Sequence, residues 1–247
     1  MTNCKNCKNC KNLITENYCS NCGQTAKLKR IDKHYISHEI LHLLHFEKGF
    51  FYTVKELMTR PGRSIREFVA EDRNKHMKPI AFLIVTSLLY VLLSHLFHAD
   101  EINNSKVKLD FGKSSYVGIF LHWMQTHVGY SNIIMGIFVA FSVKLLFRKY
   151  QYNYFEIMTL LCFVMGQAML LSAILVLFVG LLNDQIYKTI SLIMGFCYPT
   201  WAIGQFFDEA KVISYIKAFL SYMLGVGLYI SALIMAGLVI DQIIKML

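Results

Sequence analysis

The chain has 247 residues, 55% of them hydrophobic and 14% aromatic, with a mean hydropathy of +0.42; these values exclude an ordinary water-soluble domain and place most of the chain in a bilayer. Charged residues make up only 17% and are unevenly placed: residues 1–79 carry 15 Lys and Arg against 8 Asp and Glu, residues 80–247 carry 10 against 8. Most of the net charge of +9 therefore lies in a basic head, and the hydrophobicity of the rest excludes intrinsic disorder.

Five of the seven cysteines, Cys4, Cys7, Cys10, Cys19 and Cys22, fall within the first 22 residues as Cys-x-x-Cys pairs. Disulfide frameworks belong to small secreted domains, and no cleavable signal peptide precedes this cluster, so a reducing compartment and a metal fit better. Two such knuckles can fold over one tetrahedral Zn²⁺, which takes four thiolates at about 2.3 Å. The spacing points to Cys7, Cys10, Cys19 and Cys22 as ligands of a small zinc ribbon over residues 1–26. The stretch KNLITENY between the pairs suits a short hairpin, and Cys22-Gly23 supplies a tight turn. Cys4 can replace Cys7 only through a longer loop, so the register stays open between them. With all four positions filled by protein, the zinc is structural.

Lys27, Lys29, Arg30 and Lys33 mark a basic linker, within a region of linker and juxtamembrane helices over 27–79. His34, His38, His42 and His45 then recur at spacings of 4, 4 and 3, one stripe of an amphipathic helix. Within it, His38-Glu39-Ile40-Leu41-His42 spells HExxH, in which two histidines bind zinc and the glutamate deprotonates a metal-bound water. Proteolysis needs a third ligand as well. His45 joins only if the helix bends, and Asp208 and Asp241 are distant alternatives. The simpler reading is a juxtamembrane helix whose histidines meet water, headgroups or carbonyls; a non-catalytic metal-binding or pH-sensing stripe is a third.

Arg60-Pro61-Gly62-Arg63 reads as a turn, with proline setting φ and glycine accepting a conformation that others resist. A second amphipathic helix follows, with Ile65, Phe68 and Val69 on its apolar face and Arg63, Arg66, Arg73, Lys75 and Lys78 on a basic face suited to anionic headgroups. Pro79 suits the first turn of the next helix.

Five membrane spans are expected in an all-α bundle over 80–247, near 80–97, 128–147, 157–182, 189–207 and 218–240, since each crossing needs about 20 apolar residues. The fourth should bend near Pro199. The segment 116–130, aromatic and histidine-bearing, suits either the interface or the start of the second span. The basic head, with Lys144, Arg148 and Lys149 between spans two and three, places the amino terminus in the cytoplasm and the carboxyl terminus outside. Inside the bundle, Gln167 stands alone, with Gln205, Asp241 and His95 near span ends. Ser221-x-x-x-Gly225 and Ala232-x-x-x-Ala236 offer close helix approach, and Cys162 and Cys197 read as packing residues.

Tyr18-Cys19-Ser20-Asn21-Cys22-Gly23-Gln24, then Phe46-Glu47-Lys48-Gly49-Phe50 with Thr53 and Leu57, Arg60-Pro61-Gly62, Phe68, Arg73 and Lys78-Pro79, resemble the bacterial domain-of-unknown-function family 3667 over about residues 7–97. The resemblance implies a zinc-ribbon-headed, multi-pass membrane protein and no particular activity. Cys4 and Glu71-Asp72 depart from the family pattern. The resulting expectation is a scaffold or regulatory protein of the cytoplasmic membrane, with a structural Zn²⁺, that presents its ribbon to a protein partner or anionic lipid and is open to homo-oligomer formation; enzyme activity is left open. An HExxH protease of His38, Glu39 and His42 and a small-solute transporter are the alternatives. Nucleic-acid binding by Lys5, Lys8 and Lys11 lacks an interleaved aromatic surface and is disfavoured.

Overall fold

A computed structural model describes residues 5–6, 12–14, 18, 20–21, 49–70, 75–99 and 115–246. The expected ligands Cys7, Cys10, Cys19 and Cys22, the spare Cys4, and the stripe of His34, His38, Glu39, His42 and His45 lie outside these residues. The chain divides into two compact units, 1–44 and 45–247.

In the first unit, β1 (Lys5–Asn6) pairs antiparallel with β2 (Leu13–Ile14), Lys5 opposite Ile14 and Asn6 opposite Leu13. The sequence predicts the hairpin between the two cysteine pairs. The described pairing instead brackets Cys7 and Cys10 in sequence.

The second unit holds eight α-helices among the described residues: α1 (Gly49–Thr59), α2 (Pro61–Ala70), α3 (Pro79–Leu96), α4 (Tyr116–Thr126), α5 (Val128–Leu146), α6 (Tyr154–Val176), α7 (Asp184–Asp208) and α8 (Val212–Met246). Five of them, α3 and α5 to α8, are long and apolar enough to cross a membrane. Their limits differ from the expected spans for local reasons. Pro79 opens α3 because a first-turn residue needs no N–H partner. Asn153 and Glu156 form a capping box that starts α6 ahead of the apolar run, and single turns with i to i−3 hydrogen bonds replace the helix after Val176. Asn183 accepts from the Gln185 amide, drawing Asp184 and Lys188 into α7. Pro199 sits inside α7, which continues through it to Asp208.

α6 is the centre of the bundle, with Leu160, Leu161, Phe163, Val164 and Val176 at 1% exposure or less. It runs parallel to α3: Phe82 meets the Phe163 ring, and one turn further Thr86 stands against Gly166. α8 runs antiparallel to a path made of two helices. Its Gly225 packs on the Val139 backbone of α5 and its Tyr229 hydroxyl meets Ser131 of α5 at 2.9 Å, whereas Gly237 packs on Val117 of α4 and Asp241 accepts from Ser115 and from the Tyr116 amide. The segment 116–130 is therefore neither one interfacial helix nor an unbroken start of the second span. It is α4, a turn at His127, and the first residues of α5. At 1.5 Å per residue the 35 residues of α8 reach about 52 Å, against a hydrocarbon core of about 30 Å. The small residues that pack are Ala218, Ser221, Gly225 and Gly237; Ala236 is exposed, so the expected pair with Ala232 is displaced by one position. Cys197 is likewise exposed on α7 rather than packed, while Cys162 is half-buried.

A β-carbon at Gly225 would stand 2.5 Å from Val139 Cα, whereas one at Gly227 would meet nothing within 4 Å. Gly225→Ala should lower the thermal midpoint of the detergent-solubilised protein, with a cost of about 1–3 kcal/mol for overpacking. Gly227→Ala should leave the midpoint unchanged or raise it, because alanine favours helix.

Candidate functional site

The helices ahead of the first span do not lie loose on a membrane surface. The positions Phe50, Thr53, Glu56 and Leu57 of α1, and Pro61, Gly62, Ser64, Ile65 and Phe68 of α2, follow helical spacing and are all buried. The outward faces differ. α1 exposes Phe51 and Met58 around Lys55, while α2 exposes Arg63 and Ala70 beside the partly exposed Glu67. That contrast suits α1 to a lipid interface and α2 to water.

Hydrogen bonds then fasten both helices. Thr53 Oγ1 donates to the Gly49 carbonyl at 2.7 Å and accepts from the Met77 amide at 2.9 Å, tying α1 to the strand of chain before α3. The Tyr198 hydroxyl of α7 donates to the Leu57 carbonyl at 3.1 Å. Glu56 pairs with Arg60 at 2.6 Å and holds the guanidinium above its ordinary pKa. The Gly62 amide donates to Gln205 Oε1 at 2.8 Å. Arg66 donates through Nη1 to the carbonyls of Gln205 and Phe206, and its Nη2 lies 3.6 Å from Glu209. A cation is thus placed on the carbonyl end of α7, where the helix dipole and the unpaired carbonyls both favour it. Aromatic rings seal the same end: Phe147 stacks on Phe207 at 3.9 Å, and Tyr152 lies on Phe206. Burial pushes the Tyr152 phenol up, offset in part by the Arg66 charge.

Two expectations are corrected here. Gly62 is helical and serves close approach rather than a turn, since a β-carbon there would fall 2.3 Å from the Gln205 backbone. Arg66 faces the end of α7 instead of headgroups, and Arg63 pairs with Glu67 at 3.0 Å.

One arrangement carries chemically suggestive groups. Ser64 Oγ and His76 Nε2 stand 3.2 Å apart, with the imidazole among the rings of Tyr52, Phe68 and Phe163. Ser64 has no exposed surface and His76 is 8% exposed, so no substrate reaches the hydroxyl and the bond links α2 to the chain before α3. The distant candidates for a third protease ligand are engaged elsewhere. Asp208 binds Lys211 at 2.7 Å, holding that ammonium above its ordinary pKa, and Asp241 binds Ser115 at 2.6 Å. No group of three His, Cys, Asp or Glu able to hold a metal occurs among the described residues. The interior of the bundle is more polar than its charge implies: Gln167 is wholly buried with both amide atoms unpartnered, and the hydroxyls of Ser87, Ser94 and Thr200 are buried and unpartnered too.

Residues 47–91 match the family described as Protein of unknown function (DUF3667). Over those residues the chain is similar to that family. No curated protein and no solved structure matches it. The matched segment covers α1, α2 and most of α3, and residues that carried the resemblance dock the two short helices: Gly49 and Thr53 meet Met77, Phe50 meets Phe82 of α3, the Leu57 carbonyl and Gly62 meet Tyr198 and Gln205 of α7, and Phe68 meets Phe163 of α6. Sequence reasoning missed Arg66 and Gln205 as partners, because nothing local links positions 139 residues apart.

Arg66→Ala should destabilise the solubilised protein by about 1–3 kcal/mol, the range for buried acceptors losing a charged donor. Arg66→Lys should recover only part of this, since an ammonium on a flexible stem lacks the planar fork that spans two carbonyls. Denaturant or thermal unfolding of the three proteins checks both.

Proposed function

We propose that this DUF3667 protein is a scaffold or regulatory protein of the bacterial cytoplasmic membrane, with its head inside and its carboxyl terminus outside, and that the head is a structural zinc ribbon presented to a cytoplasmic protein or to anionic lipid. The observation that supports this reading is the docking of the DUF3667 segment. Its polar groups are spent on joining α1 and α2 to α7 and to the chain before α3, and its Ser64–His76 pair is closed to substrate.

Orientation rests on charge. Arg63, Lys75, Lys78, Arg148, Lys149 and Lys211 are exposed and lie at or next to the helix ends joined by the α2–α7 contact, and basic residues favour the cytoplasmic side. The zinc assignment rests on cysteine spacing, and the pairing of Lys5–Asn6 with Leu13–Ile14 is compatible with a knuckle at Cys7 and Cys10. Cys7, Cys10, Cys19 and Cys22 would hold the ion, whose contribution is to order the ribbon.

Purified protein should contain about one zinc per chain, lost on Cys19→Ser with the bundle still folded. After chelation, a membrane-impermeant maleimide should label the head in inverted vesicles and not in intact cells. No bound zinc, or labelling from outside, would refute the corresponding half of the reading.

A further inference from the structure

The outer face of α5 carries a groove lined by Ile137, Phe138 and Phe141, with Tyr154 of α6 and Leu228 of α8, around a volume of about 510 Å³. Ile137 and Phe141 are 48% and 59% exposed on a helix long and apolar enough to cross a membrane, so the groove opens sideways toward lipid. Its one polar side-chain atom is already bonded: the Tyr154 hydroxyl donates to the Ile137 carbonyl at 3.1 Å. A polar solute would find no partner among these side chains, whereas a hydrocarbon chain needs none.

One end of the groove is basic. Ile137, Phe141 and Lys144 recur on α5 at spacings of 4 and 3 and share one helical stripe, which puts Lys144 about one turn past Phe141. Arg148 follows in the single 3₁₀ turn Arg148–Tyr150. On α8, Lys217 precedes Leu228 by three turns with only about 20° left over, so these two also share a stripe. The helices run antiparallel through the contact of Gly225 with Val139. Lys144 lies five residues past Val139 and Lys217 eight before Gly225, so both stand at the same end, within about 5 Å of one another along the axes.

These cations have no protein counter-charge. Lys144 and Arg148 are exposed and Lys217 is half-buried. Ion pairs among the described residues join Glu56, Glu67, Asp208 and Glu209 to Arg60, Arg63, Lys211 and Arg66, and include none of the three. Glu156, in the first turn of α6, accepts from the Asn153 amide at 2.7 Å. α5 has no Asp or Glu, and α8 has only Asp241 at its far end. A lysine within a span is costly unless it is paired or reaches a headgroup.

An apolar groove open to lipid, with unpaired cations at one end, matches the two parts of one kind of molecule. We propose that the outer face of α5 is a binding site for an anionic phospholipid, with an acyl chain along Ile137, Phe141 and Leu228 and the phosphate held by Lys144, Arg148 and Lys217. The site belongs to the bundle and does not depend on the head or its zinc.

The test is thermal unfolding of the full chain in detergent micelles, with dioleoylphosphatidylglycerol or dioleoylphosphatidylcholine added at rising mole fraction. A saturable rise in the midpoint is expected at a lower mole fraction of the phosphatidylglycerol. Each basic side chain near an anionic headgroup contributes about fivefold, so Lys144→Gln and Lys217→Gln should each weaken half-saturation by that factor and leave the phosphatidylcholine response unchanged. If Lys144→Gln does not fold, Arg148→Gln replaces it with the same expectation. Lys78→Gln removes an exposed cation at the same end of the bundle, from the start of α3, and should alter neither titration. Glycerol phosphate, which has the anionic group without the chain, should not move the midpoint. The proposal is overturned if the two lipids act alike on the wild type, or if the α5 and α8 variants leave the phosphatidylglycerol titration unchanged, as binding by the head alone would. It is equally overturned if Lys78→Gln weakens that titration as much, which would mark a general attraction to the basic end, or if glycerol phosphate alone raises the midpoint.

Discussion

The carbonyl end of α7 is the constraint around which the cytoplasm-proposed end of the bundle is organised. A helix that stops at Asp208 leaves its last carbonyls without intrahelical partners. α2 supplies what is missing: the Arg66 guanidinium binds two of those carbonyls, and the Gly62 backbone comes close enough to bind the Gln205 side chain. Both contacts require α2 to lie flat against α7, and this in turn fixes α1 through the Tyr198 bond to Leu57. The aromatic cluster of Phe147, Tyr152, Phe206 and Phe207 then closes over a geometry already set by hydrogen bonds.

The same logic separates the two ends of the molecule. At the α2–α7 end, most polar groups find partners, and the result is a clamp. Inside the bundle, Ser87 and Gln167 do not, although Asp241 caps the start of α4 from α8 with bonds of 2.6 and 2.9 Å. A path made of two helices beside one long α8 leaves a helix terminus at a depth where an unbroken span would leave none.

Much of the fold was legible in the sequence because the bilayer imposes a coarse rule. Runs such as Ile80–Phe97, without a charged residue, can hardly be anything but spans, and Pro79 marks where the first begins. Helix ends were less legible, since caps such as Asn153 with Glu156 place charged residues inside a helix that hydropathy excludes. The buried face of α1 and α2 could be read from spacing; its partner could not. Gly62 reads locally as a turn residue, and only α7, 143 positions away, shows that the missing side chain makes room for a backbone. Gln167 was visible as an isolated polar residue, but Ser87 was not, because a serine in an apolar helix ordinarily bonds its own backbone.

α2 is held docked against α7, and one amide reports this. The Gly62 N–H sits in the first turn of α2, where no intrahelical carbonyl is available, so its protection comes from Gln205 alone. Amide hydrogen exchange of the full chain in lipid nanodiscs should find Gly62 exchanging as slowly as the interior of α6, and Gln205→Ala should release it. Exchange of Gly62 at the rate of an unprotected amide, with α6 still protected, would contradict a docked clamp.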